Sequence, residues 1–149
     1  PDLHTDLSAT YSSSLSDLGY AFYNLGDYSA AEKYFKQSLE LQVKMSSSDE
    51  NTNVAATLVR LGILLSKQGK FDAALKYYSE SLDIYVKVYG TREHADVART
   101  LNNLGIVARL QENFVPALKY YNEFLKITVK TYGTCEHVDV AATLNNLGI

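Results

Sequence analysis

The chain has 149 residues, 46% of them apolar and 21% charged, the make-up of a folded domain or short array rather than of disorder. Its 14 Lys and Arg against 17 Asp and Glu leave a net charge of -3, without the basic surplus of a general nucleic-acid binder. No apolar run approaches the roughly 18 residues of a membrane span, and no apolar leader core lies near Pro1, so neither nucleic acid nor membrane is an expected partner.

Taken along the chain, the predicted elements repeat. A first helical stripe passes through LSDLGY at Leu15–Tyr20 and breaks at LGDYSAAE, where Ser29 and Glu32 have capping-box spacing for a second helix. Ser12–Ser14 and Ser46–Ser48 read as polar, turn-like linkers. LVRLGI at Leu58–Ile63 opens the next pair, which breaks at KQGKFD with Asp72 as the expected N-cap and stops at Tyr89–Thr91. LNNLGI at Leu101–Ile106 follows, within a stripe of Val97, Leu101, Leu104 and Ala108. That stripe breaks at Gln111–Phe114. A second one runs through Ala117, Tyr121, Leu125 and Val129, with Pro116 in its first turn and a stop at Tyr132–Thr134. LNNLGI then returns at Leu144–Ile149.

Gly19, Gly62, Gly105 and Gly148 thus share one register with a period of 43 residues, and residues 50–92 and 93–135 align without a gap at 23 identities. The expected organisation is one array over 1–149, with repeats at 7–49, 50–92 and 93–135 and the first helix of an incomplete fourth at 136–149. A glycine inside a helix costs about 1 kcal/mol against alanine, so Gly62 and Gly105 imply close approach of a partner, with Tyr78 and Tyr121 the expected neighbours. Ala31, Ala74 and Ala117, each followed four residues later by Phe35, Tyr78 or Tyr121, point to small-against-large packing.

This pattern resembles the tetratricopeptide repeat (TPR): a small residue in the first helix, an alanine early in the second and an aromatic one turn later. The family's usual period is about 34 residues. The longer unit here, with DVARTLNNLG at Asp96–Gly105 and DVAATLNNLG at Asp139–Gly148, resembles the kinesin-light-chain type. The first unit departs from it, with SSSDEN at Ser46–Asn51 where later units have YGT. The resemblance implies an all-α fold, a right-handed superhelical solenoid of antiparallel helix pairs. It also implies a concave groove, lined by the first helices, that binds peptides or partner helices. Carried over position by position, the groove would hold Ser16, Asp17 and Tyr20, then Arg60, Ile63 and Lys67. Arg99, Asn103, Ile106 and Arg109 would follow, and then Asn146. In the family an asparagine at the place of Asn103 and Asn146 bonds the backbone of the bound peptide. The carboxylate clamp of chaperone-binding repeats is not matched, because Ser16 and Tyr20, or Val59 and Ile63, stand where it needs a lysine and an asparagine.

Three of the four arginines, Arg60, Arg99 and Arg109, lie on first helices. Converging in the groove, they would make a positive strip suited to an acidic peptide, which the resemblance to cargo-binding kinesin-light-chain grooves also implies. The alternative is that they are solvated helix faces.

Other signals have bland readings. His94 with Asp96, and His137 with Asp139, recur one period apart; two ligands per site fall short of a metal centre, and helix-entry chemistry explains them. Cys135 has no partner constellation and cannot close an internal disulfide. It reads as a neutral surface residue, compatible with a reducing compartment and a cytoplasmic location. No phosphate loop or catalytic motif occurs, so no cofactor, metal or enzyme activity is expected. Ile149 falls inside a first helix, so the chain is expected to be a piece of a longer protein, or its ordered part. Leu144 and Leu147 would then offer a surface for end-to-end self-association. The expected function is a protein-binding scaffold or adaptor. The alternatives are a structural spacer or self-assembly module, and a regulatory region attached to an enzyme outside this segment.

Overall fold

Six helices follow one another: α1 (Leu3–Asn24), α2 (Tyr28–Met45), α3 (Thr52–Lys67), α4 (Phe71–Tyr89), α5 (Ala95–Leu110) and α6 (Phe114–Tyr132). They belong to a computed structural model that describes residues 3–46 and 51–133. The expectations resting on Cys135, His137, Asp139, Leu144, Asn146, Leu147 and Gly148 lie outside the described residues. Among the described residues no strand is present, and no helix is long and apolar enough to cross a membrane. The chain divides into two units, Pro1–Ile84 and Tyr85–Ile149, with the boundary inside α4.

The apolar stripes decide which faces are buried. Val54, Ala55, Leu58, Leu61 and Gly62 form the buried side of α3, and Val97, Ala98, Leu101, Leu104 and Gly105 the buried side of α5, each pair 43 residues apart. In the first unit, Ala31 and Phe35 of α2 pack with Leu61 and Leu64 of α3. Burying a ring such as Phe35 contributes roughly 1.5–3 kcal/mol. In the second unit Ala108, Ala117 and Tyr121 form a cluster against which Ile106 and Tyr120 pack.

The helical glycines are explained by the rings opposite them. A Cβ on Gly62 would lie 2.6 Å from the Tyr78 ring and one on Gly105 2.7 Å from Tyr121, as the spacing predicts; Gly19 meets Phe35 at 2.7 Å. Only a hydrogen fits at this distance, so the helix cost of glycine is accepted for a close helix–helix approach.

The turns inside the repeats share one geometry. Asp27 N donates to Phe22 O, Lys70 N to Leu65 O and Asn113 N to Ala108 O, each bond closing a helix end across five residues. The residue before each donor is left-handed: Gly26 (φ 79), Gly69 (φ 73) and Glu112 (φ 60). The YGT stops are also as expected, with Gly90 and Gly133 at positive φ.

Three local expectations are corrected. Ser29 does not cap α2; Asp27 does, its carboxylate accepting from Ala30 N at 3.0 Å, because the tight turn brings the chain into the helix two residues earlier. Asp72 lies in the first turn of α4 rather than before it, where its charge still complements the helix N-terminus. Ser12–Ser14 are not a linker but mid-helix residues of α1. Ser12 is 3% exposed, and Ser38 Oγ donates to Ser12 O at 2.8 Å. One period on, Ser81 Oγ donates to Ala55 O at 2.9 Å. These small hydroxyls let α1 and α2, or α3 and α4, approach while each buried donor keeps a partner.

Candidate functional site

The first helices of the first unit border a cleft of about 220 Å³. Ser13, Ser16 and Asp17 come from α1, Thr57 and Arg60 from α3, and Gln42 from the end of α2. Ser16, Asp17 and Arg60, three of the positions that the family resemblance singles out on the first helices, line it together. Tyr20 does not line this cleft; it is exposed, and its ring stacks with Tyr23 at 6.2 Å. Ile63 is half-buried on α3, and Lys67 is exposed at the end of that helix.

Arg60 is half-buried and donates from Nη1 to Ser16 Oγ, whose residue is 3% exposed. That bond holds one edge of the guanidinium and leaves its other N–H groups for a ligand. Gln42 Nε2 donates to Ser38 Oγ at 3.3 Å. Gln42 Oε1 and Thr57 Oγ1, of residues that line the cleft, are buried and make no hydrogen bond. Asn51 caps α3 by accepting from Asn53 N at 2.8 Å, and both asparagines stand at the cleft's edge.

In the second unit, Arg99, Asn103 and Ile106 recur along one face of α5 by helical spacing. Arg99 is exposed and reaches Asp96 at 3.7 Å; Asn103 is half-buried; Ile106 packs on the Ala108–Ala117–Tyr121 cluster. Arg109 Nε and Tyr121 OH are buried without a well-formed hydrogen bond. Burial pushes the Tyr121 pKa up, and a weak hydrogen bond from Arg109, with that residue's charge, opposes the rise. Asn146 lies outside the described residues.

The α4–α5 corner accounts for His94 and Asp96. His94 is the N-cap of α5, its Nδ1 accepting from Asp96 N at 3.2 Å, and its ring stacks on Tyr89 at 3.5 Å. Tyr89 OH donates to Asp96 Oδ2 at 2.7 Å. Burial first, and then this bond, which the protonated phenol alone can make, raise the Tyr89 pKa to about 12. Arg92 pairs with Glu123, and Lys130 with Glu93 at 2.6 Å, tying the corner to α6. Helix entry is thus the role of this pair of residues. Among the described residues no group of three metal-ligating side chains occurs.

Sequence reasoning missed Gln42, Asn51, Asn53 and Thr57. Asn51 was accessible as a capping residue ahead of an apolar stripe, and Gln42 as the residue one turn beyond Ser38 on the same face. Thr57 carries no such signal, since a buried threonine in a helix reads as packing.

Comparison with known proteins gives a consistent picture. Residues 53–128 and 12–49 match family models described as tetratricopeptide repeat. No curated protein sequence matches the chain. Among solved structures, BtubC (BKLC) from P. vanneervenii is similar with a TM-score of 0.83 and 23% identity, covering 92% of this chain and 54% of that one. A kinesin light chain candidate from Podosopora anserina with nearly identical TPR-like repeats gives 0.78 and 18%, covering 91% of this chain and 63% of that one. The N-terminal domain of stress-induced protein-1 from C. elegans gives 0.67 and 13%, with both chains fully covered. At these identities the likeness concerns the fold, and this chain spans about half the length of BtubC.

Proposed function

The chain belongs to the tetratricopeptide repeat family, and from that premise we propose that it is an adaptor module holding a peptide or protein segment along its first helices. TPR arrays are protein–protein interaction scaffolds and typically not enzymes. The observation that carries the finer reading is the polar cleft between α1 and α3, where Arg60 is held by Ser16 with donors to spare. Its guanidinium suits a carboxylate of the bound segment. Asn103 stands one period after Arg60 and is the position from which a bound backbone amide would be paired. Tyr20, Ile63, Arg99, Ile106 and, beyond the described residues, Asn146 complete the proposed contact set.

The test is a fluorescence titration with a tryptophan-centred acidic peptide beside a charge-reversed control. The chain has no Trp, so red-edge excitation reports the peptide alone. Saturable binding that weakens with salt and falls about tenfold in Arg60→Glu is the expected result, reflecting loss of a charge-assisted bond and gain of a repulsion. Equal affinity for both peptides, or none for either in a helical sample, removes the acidic-groove reading.

A further inference from the structure

The charges in the α1–α3 cleft narrow the ligand further than a general preference for acids. Of the residues that line it, two carry charge, Asp17 and Arg60, one of each sign. They occupy the same register position in successive repeats, 43 residues apart. They do not form an ion pair with each other. Arg60 is turned to the buried Ser16 hydroxyl, and Asp17, exposed on α1, makes no ion pair or hydrogen bond among the described residues. The cleft therefore presents a separated cation and anion, each with unused hydrogen-bonding capacity, among uncharged polar groups and the apolar Ala9, Met45 and Ala56.

We infer that this cleft reads a bipolar segment: an extended stretch of a partner protein carrying one acidic and one basic residue on the same face. The inference rests on the proposal that the first-helix groove is the binding surface. The chemistry follows from complementarity. A uniformly acidic segment gains at Arg60 and is repelled at Asp17; a uniformly basic one has the opposite balance. A segment carrying both signs gains at each end, and only in one chain direction. In an extended peptide, side chains two positions apart share a face at roughly 6–7 Å, the shortest same-face spacing available to two charges. Because such charges are exposed or half-exposed, each contact is worth a modest factor, about threefold to fivefold in affinity.

The experiment uses nine-residue tryptophan peptides that differ at two positions: a glutamate and a lysine two apart, the same pair in reversed order, two glutamates, and two lysines. Each is titrated against the chain, Asp17→Asn, Arg60→Gln, and the exchanged variant carrying Asp17→Arg with Arg60→Asp. Circular dichroism checks the fold of each, and Asp17→Asn, at an exposed position, stays informative if Arg60 variants unfold. The expected result is that one mixed peptide binds at least about threefold tighter than its reversed form and than the doubly acidic peptide. Asp17→Asn should erase the margin over the doubly acidic peptide, and the exchanged variant should prefer the reversed order. A doubly acidic peptide that binds as tightly as either mixed one, or a preference untouched by Asp17→Asn, overturns the bipolar reading while leaving an acidic groove. Failure of every peptide to bind the folded chain overturns the groove proposal and this inference with it.

Discussion

Phe35, Tyr78 and Tyr121 fill the same place in successive repeats, each ring pressed against a helical glycine of its own repeat. The three rings differ in one atom, the phenolic oxygen. At Tyr121 that oxygen is buried with at most a weak, poorly aligned hydrogen bond from Arg109, and burial raises its pKa. An unpaired buried hydroxyl costs on the order of 1–3 kcal/mol, so Tyr121→Phe is expected to leave stability unchanged or raise it by up to about 1 kcal/mol in urea unfolding. A loss above about 1 kcal/mol would show that the hydroxyl is paired in solution, with Arg109 the first candidate. The glycine–ring pairs were legible in the sequence because size alternation at fixed spacing has a single geometric meaning. Ser12 was not. A run of three serines looks like a linker until the helix around it is seen to bury the first of them against Ser38.

Among the elements, the turns between paired helices carry the clearest inconsistency. Gly26, Gly69 and Glu112 occupy equivalent left-handed positions, and the third bears a side chain. An L-residue there is strained by roughly 1–2 kcal/mol. Glycine recovers that strain, although its freer unfolded chain returns roughly 0.4–1 kcal/mol of the gain. Glu112→Gly is therefore expected to stabilise the chain modestly, by about 0.5–1 kcal/mol, seen as a rise in midpoint with an unchanged denaturant slope. A fall in midpoint would mean that the Glu112 carboxylate makes a contact stronger than the strain. The break at Gln111–Phe114 could be read from the sequence, but the strain becomes visible only once Glu112 is aligned with the two glycines. The caps were less legible for a related reason. Asp27, Ser29 and Glu32 all have capping chemistry, and the choice among them is made by where the turn closes.

For the molecule as a whole, the tyrosines set an alkaline limit. Tyr89 titrates near 12 and Tyr78, buried beside Gly62, is pushed higher still, whereas an unfolded tyrosine ionises near about 10. The folded pKa is the raised one, so the folded state binds these protons more tightly. The resulting stability is fully present below about pH 10 and is lost as pH rises through 10 to 12. Absorbance titration of tyrosinate should show a late-titrating fraction of the 12 tyrosines, released when the helices unfold. In Tyr89→Phe the loss of stability over that interval should become shallower; an unchanged slope would mean that the Tyr89–Asp96 bond is absent in solution. The fold was readable from the sequence because a 43-residue period with an ungapped register constrains every helix at once. The cleft was half readable. First-helix residues such as Arg60 and Asp17 were singled out through the family resemblance, whereas Gln42 enters from the end of α2, where helical spacing from Ser38 gives its face but not the cleft it borders.

The pairing of ring and glycine within a single repeat also bears on how such a gene can change. Neither partner is borrowed from a neighbouring repeat, since Gly19 meets Phe35, Gly62 meets Tyr78 and Gly105 meets Tyr121. An in-frame duplication or deletion of one period carries both halves of the contact together. Unequal crossing-over between the repeated stretches could then lengthen or shorten the array with each glycine–ring contact carried whole, and each copy could drift at Asp17, Arg60 or Asn103.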